Sequence, residues 1–245
     1  MKILLLAGSG EARKLAARLL DAMHKVVASL AGATKEAARY ACETRTGGFG
    51  GAREFEDYVL RESFDMVIDA THPFANRISS RTYASCQKLK IPYLQLMRPP
   101  WDPIAGDTWH MIDAARDARN LIDKGARVFL ATGRQTLPDF ANLSDCHLIC
   151  RQIDPPDGPF PFPNGEFLVG RPPFSVEDEI KLFQELDIHV LVVKNAGGQA
   201  SRSKLDAARH LKIPVVMIKR PAPLNAETVT SVETALDWVA QYADY

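Results

Sequence analysis

The chain has 245 residues, 46% of them apolar and 24% charged, and its thirty acidic residues balance thirty basic ones. Such a composition excludes a disordered polymer, and zero net charge removes any global attraction to nucleic acid or to a membrane surface. An anionic ligand must therefore be met by locally clustered Lys and Arg.

The opening MKILLLAGSGE carries an apolar run too short for a signal-peptide core. No stretch approaches the length of a transmembrane helix, so a cytoplasmic location is expected. KILLLAG (2–8) followed by EARKLAARLLDA reads as strand, glycine turn and helix. HKVVASLAG (24–32) is a second strand and KEAARYACE a short helix. FDMVIDATHPFA (64–75) is a third strand with its loop. The helical run NRISSRTYASCQKLK then leads into the strand IPYLQLMR. The pattern restarts at GARVFLATGRQTL (125–137). Strands HLICRQI, EFLVG, HVLVVKN and IPVVMIK follow, with helices SVEDEIKLFQEL and SKLDAARHLK among them. Ser175 and Asp178 suit the N-cap of the first of these helices. The proline-rich DPPDGPFPFP (154–163) reads as an extended loop within the second half.

LKIPVVMIKRPA (211–222) nearly restates LKIPYLQLMRPP (89–100), 122 positions apart (211 − 89). Without gaps the match runs back to Asp65 and Asp187, and includes Ser79/Ser201, Arg98-Pro99 and Arg220-Pro221. Each half also ends in a similar tail after its Arg-Pro pair. Strands alternating with helices, twice over, predict an α/β protein of two tandem, doubly wound, Rossmann-like parallel-sheet domains. The expected domains are 1–103 and 104–245, binding nucleotide and substrate respectively, with 223–245 free to pack on either.

Open parallel sheets bind ligands beyond the carboxyl ends of their strands. The unusual loops GSGE (8–11), RTGGFGG (45–51), DATHPFA (69–75), RPPW (98–101), ATGRQ (131–135) and KNAGG (194–198) all fall at such ends, which predicts a site in a cleft between the two domains. Gly8, Ser9, Gly10 and Glu11 form a phosphate-type turn before a helix, although Arg13 stands where the nucleotide fingerprint wants a third glycine. The end of the second strand offers no acid for a ribose hydroxyl, and Lys35 follows. This favours NADPH over NADH. Gly47, Gly48 and Gly50 around Phe49 suit backbone lying against a flat cofactor or substrate. His72, in a Thr-His-Pro turn, is a candidate proton donor. Cys146 and Cys150 flank His147, but residues four apart in a strand lie about 13 Å from each other. Reduced thiols and no metal site are expected.

In this order, GSGEARKLA, GGFGG, IDATHPFA, RPPW, FLATGRQ, IDPP, KNAGG, KLDAAR and IPVVMIKRP resemble the precorrin-6A reductase family of cobalamin biosynthesis, from Lys2 to about Pro221. The resemblance implies two Rossmann-like domains, NADPH as cofactor, and reduction of one double bond of the precorrin-6A macrocycle to give precorrin-6B. Thr71, in the same turn as His72, is a further expected cofactor contact. Three positions depart from the family pattern. Ala33 stands where an Arg is usual, Ala196 where a Ser is usual, and Pro172 where a Gly is usual.

The macrocycle is fringed with carboxylates, so cations at strand ends are expected to hold it: Arg98, Arg134, Lys194 and Arg220, with Trp101, Asn195, Gly197 and Gly198 beside them. The alternatives are a cobalt-precorrin-6A reductase and a two-domain nucleotide- or ligand-binding protein without chemistry. Neither nucleic acid nor membrane is an expected partner, and the oligomeric state is left open.

Overall fold

The computed structural model describes residues 1–32 and 39–242. These form two compact units, one of Met1–Pro99 with Pro221–Tyr245 and the other of Pro100–Arg220. The chain leaves the first unit between Pro99 and Pro100 and returns between Arg220 and Pro221. Each Arg-Pro pair therefore marks a crossing.

In the first unit, β1 (Lys2–Leu6), β2 (Lys25–Leu30), β3 (Glu43–Thr46), β4 (Met66–Asp69), β5 (Tyr93–Leu96) and β12 (Thr228–Val229) make one parallel sheet in the order β12-β5-β4-β1-β2-β3. Side chains of a strand alternate between faces, and both faces here are apolar, as a covered parallel sheet requires. Ile3, Leu5, Val26, Ala28, Met66 and Ile68 pack on one side with α1 (Gly10–Asp21) and α6 (Val232–Ala240). Leu4, Leu6, Val27 and Val67 pack on the other with α2 (Ala52–Arg61) and α3 (Asn76–Leu89). The segment 223–245 thus belongs to the first unit through β12 and α6.

The second unit repeats the plan. β6 (Trp109–Ile112), β7 (Arg127–Ala131), β8 (His147–Gln152), β9 (Gly165–Val169), β10 (Val190–Lys194) and β11 (Val215–Ile218) run parallel in the order β6-β11-β10-β7-β8-β9. α4 (Val176–Glu185) is capped by Ser175, whose hydroxyl accepts from Asp178 N, and α5 (Ser203–Leu211) follows β10. The proline-rich segment is a loop between β8 and β9.

The two sixth strands are exchanged between the sheets. The tail after β5 does not extend its own sheet. It becomes β6 and pairs with β11, where Val215 N donates to Thr108 O and Lys219 N to Ile112 O. The tail after β11 becomes β12 and pairs with β5 through Gln95 N to Glu227 O and Met97 N to Val229 O. Met97 and Lys219, 122 apart (219 − 97), donate to the tail carbonyls of Val229 and Ile112, so the two tails fill the same slot in the two sheets.

The repeat itself is real but not ungapped. Lys90 and Lys212, 122 apart (212 − 90), both adopt φ 57° and end their helices with the same pair of backbone bonds. That explains the LKIP tetrads: last helical residue, left-handed cap, then entry to a strand. Asp65 and Asp187 are not equivalents, however. Asp187 (φ 49°) is the left-handed residue after α4, and its counterpart after α2 is Ser63 (φ 54°), 124 apart (187 − 63). Two additional residues between β4 and the end of α3 account for the slip. Ser79 accordingly lies in α3, whereas Ser201 ends a short 3-10 turn.

A second difference separates the units. β1 runs into the twelve-residue α1, but β7 runs into a 3-10 segment, Arg134–Leu143, interrupted by Pro138. Proline there supplies no N–H and cannot sustain an α-helix. The helix expected over KEAARYACE (35–43) lies partly outside the described residues; its described part, 39–42, is not helical, and Glu43 opens strand β3.

Candidate functional site

The carboxyl edge of the first sheet carries four of the expected loops. Gly8 has φ 139°, and a Cβ built there meets nothing within 4 Å, so its backbone is open to close approach. Ser9 caps α1, accepting from Ala12 N at 3.0 Å, and donates to Ala70 O at 2.8 Å. That second bond ties the turn after β1 to the turn after β4. Glu11 receives Arg98 Nη1 at 2.9 Å. Burial pushes the Glu11 carboxyl up, but its backbone N–H, Arg98 and the Ser9 hydroxyl outweigh this and hold it below the usual range. Arg98, expected on the substrate, is thus brought to the phosphate-type turn.

Arg45 organises the glycine loop. Its guanidinium donates to Ser29 Oγ at 2.7 Å and to the carbonyls of Gly47 and Gly48 at 3.1 Å each, and lies 4.0 Å from the Phe49 ring centroid. Phe49 packs edge-on against Phe55, so its ring faces the core and leaves the loop's backbone as the surface. Gly47 (φ 112°) and Gly50 (φ 89°) hold conformations that side chains rarely adopt. Tyr40 Oη is buried without a partner in hydrogen-bonding geometry. Burial raises its pKa, opposed by the nearby Gly8 backbone and Arg13. Lys35 and Ala33 lie outside the described residues.

After β4, the nearly inaccessible Asp69 carboxylate accepts from Thr71 N (3.0 Å), Thr71 Oγ1 (2.7 Å) and Tyr93 Oη (2.8 Å). His72 is exposed, and its Nδ1 accepts from Phe74 N at 3.3 Å.

The second unit's edge is built around KNAGG. Asn195 and Trp101 exchange two bonds: Trp101 N donates to Asn195 Oδ1 at 2.8 Å, and Asn195 Nδ2 to Trp101 O at 2.9 Å. The indole N–H donates to Gly198 O at 2.8 Å, and Trp101 is 6% exposed, packed in the core. Arg220 grips the same loop, donating to Asn195 O at 2.8 Å and Ala196 O at 3.0 Å. Gly197 (φ 68°) and Gly198 (φ 79°) let it turn between these anchors. Lys194 Nζ donates to Thr136 Oγ1 at 2.6 Å, and burial lowers its pKa. Arg134 pairs with Asp157 at 3.2 Å. The departure at Pro172 sits in a cis Pro172-Pro173 bond after β9.

Beside this loop lies a cavity of about 150 Å³ lined by Gln152, Ser201, Ser203, Lys204, Arg151 and Phe174 among others. Gln152, closing β8, is 7% exposed with neither amide atom partnered. Arg151 is neutralised by Glu179 through two bonds of 2.7 and 2.6 Å. Lys204 has no ion-pair partner of its own among the described residues. Its ammonium donates to Ser201 O, lies 5.6 Å from the Trp101 ring centroid, and is pulled down to about 8 by burial, against the weaker opposing charge of Glu179. An unpartnered amide beside an uncompensated ammonium can receive a carboxylate.

Asp69, Gln152 and Lys204 were not singled out from the sequence. Asp69 and Gln152 did carry a signal, a polar residue closing an apolar strand. Nothing in SKLDAAR separates Lys204 from an ordinary surface lysine.

The model of the precorrin-6x reductase CbiJ/CobK family matches residues 2–240. The chain belongs to that family. It is 44% identical to a precorrin-6A reductase of Rhodococcus erythropolis over 97% of both chains, and 39% identical to one of Rhodobacter capsulatus over 98% and 96%. A cobalt-precorrin-6A reductase of Priestia megaterium is 27% identical over 89% and 90%. The solved structure of a CobK precorrin-6A reductase superposes with a TM-score of 0.94 at 38% identity, covering 98% of this chain and 96% of that one. Members of the family are oxidoreductases of cobalamin biosynthesis, and the two parallel six-stranded sheets found here are their fold. No helix among the described residues is long and apolar enough to cross a membrane.

Proposed function

We propose that this protein reduces one double bond of precorrin-6A with NADPH, giving precorrin-6B. The observation that carries the reading is the asymmetry between the units. Only the first follows its central strand with an open glycine turn and a capped α-helix, the arrangement that receives a dinucleotide pyrophosphate. Gly8, Ser9, Gly10 and Glu11 then surround the pyrophosphate, with Gly47, Gly48, Phe49, Gly50 and Thr71 along the rest of the cofactor. The absence of an acid at the end of β2 supports a 2′-phosphate, and Arg45 adds positive charge there. Lys35 is the second candidate cation.

The cofactor, when bound, supplies the hydride. The chain's own groups bind, orient and protonate. In the second unit, Lys194, Arg134 and Arg220, joined by Lys204 and Gln152, provide charge and donors for the macrocycle's carboxylates, while Arg98, paired with Glu11, adds its charge at the turn of the first unit. Trp101, Asn195, Gly197 and Gly198 shape the loop that presents them. His72, exposed on its turn with Nδ1 accepting from Phe74 N, is the candidate proton donor. Higher identity to the precorrin-6A reductases than to the cobalt-precorrin enzyme supports the cobalt-free substrate.

Adding precorrin-6A to protein and NADPH should consume the reduced-nicotinamide absorbance, with NADH markedly slower. Equal rates with both cofactors would contradict the 2′-phosphate reading. Lys194→Ala should raise KM for the tetrapyrrole roughly ten- to a hundredfold with NADPH affinity nearly unchanged, because one desolvated charge-assisted bond contributes about 1.5–3 kcal/mol. An unchanged KM would remove Lys194 from the substrate contacts.

A further inference from the structure

The Asp69–Thr71 pair constrains what a bound molecule can offer at the end of β4. Thr71 has one hydroxyl proton, and at 2.7 Å from Asp69 Oδ1 it is committed to that carboxylate. The backbone N–H of Thr71 donates to the same oxygen at 3.0 Å, and Tyr93 Oη donates to the other at 2.8 Å, so both oxygens of Asp69 are engaged from inside the fold. Ser79 Oγ lies 3.3 Å from Thr71 Oγ1. With the threonine proton spent on Asp69, Ser79 must be the donor in that contact. A hydroxyl oxygen accepts two bonds. Ser79, only 4% exposed, takes one from the interior, and the other remains on the half-buried Thr71. Toward a ligand, Thr71 is therefore an acceptor only.

We propose that Thr71 Oγ1 accepts a hydrogen bond from the carboxamide amino group of the nicotinamide, with Asp69 as the positioning residue that fixes its polarity. This rests on the cofactor reading above. In a sheet of this order the two halves of a dinucleotide lie on opposite sides of the central strand. β2 and β3 lie on the adenosine side, so β4, on the other side of β1, belongs to the nicotinamide half. The carboxamide has one acceptor oxygen and two N–H donors, and an acceptor-only threonine selects the amino group.

The 3-acetylpyridine analogue of the cofactor keeps the carbonyl and replaces the amino group with a methyl. Dissociation constants of NADPH and of this analogue, measured on the whole protein without tetrapyrrole, test the contact. Wild type should prefer NADPH by about tenfold. Thr71→Ser should keep that preference, and Thr71→Val should reduce it to about twofold or less, with its unfolding midpoint recorded to show that it is folded. A general loosening of the loop would weaken both cofactors alike and leave their ratio unchanged, which would overturn the proposal. So would a Thr71→Val protein that keeps the full preference. If wild type saturates with neither cofactor, the cofactor reading itself fails, a result distinct from binding without discrimination.

Discussion

Replacing Glu179 by Ala should destabilise the protein by about 3–5 kcal/mol, because it leaves an enclosed guanidinium without its counter-charge. The Glu179 side chain is 1% exposed and that of Arg151 10%, and two short parallel bonds join them. Arg151 also lies against the rings of Phe129 and Phe174, at 4.6 and 4.4 Å from their centroids, which leaves it little contact with water. Denaturant unfolding would show the loss as a lower midpoint. Replacing both partners together, Arg151→Met with Glu179→Leu, should recover most of it, since paired desolvation costs vanish along with the pair. A single variant within about 1 kcal/mol of wild type would mean that Arg151 finds another partner or water.

Lys204→Met should move stability in the opposite direction. Below about pH 8 the lysine is charged whether the chain is folded or not, and the folded state bears the whole cost of desolvating the ammonium. Between about 8 and 10.5 the folded protein sheds its proton first and the cost fades. A fall from 10.5 to about 8 corresponds to at most ~3 kcal/mol, and partial exposure brings the expected gain to about 1–3 kcal/mol at neutral pH. The gain should shrink as pH approaches 10.5. The same substitution should weaken binding of the tetrapyrrole, which separates a functional charge from a structural one. Thermal unfolding at neutral and alkaline pH checks the first part, and a destabilised Lys204→Met protein at pH 7 would contradict it. Glu179 links the two predictions, because it is the charge that holds the Lys204 pKa up.

Much of the architecture was legible because it rests on local, periodic signals. Apolar runs ending in glycine marked the strands, and the LKIP tetrads marked two identical left-handed helix caps. The exchange of the sixth strands was not legible. Both tails have the right composition for either sheet, and only long-range pairing decides between Trp109–Ile112 and Thr228–Val229. The ungapped repeat failed at Asp187 for a related reason: identity of a residue type carries no information about the two-residue slip in the β4–α3 connection. At the candidate site, glycines with positive φ announced themselves, whereas partners did not. Arg98 and Arg220 read alike in sequence, yet one meets a carboxylate and the other two carbonyls.

The central claim is a hydride transfer from NADPH to the precorrin-6A macrocycle. It is tested most directly with NADPH carrying deuterium at both hydrogens of the transferring nicotinamide carbon. After one turnover, mass spectrometry of the tetrapyrrole should show one deuterium and one solvent-derived hydrogen added. Oxidation of the cofactor with no deuterium in the macrocycle, or a macrocycle unchanged in mass, would contradict the account.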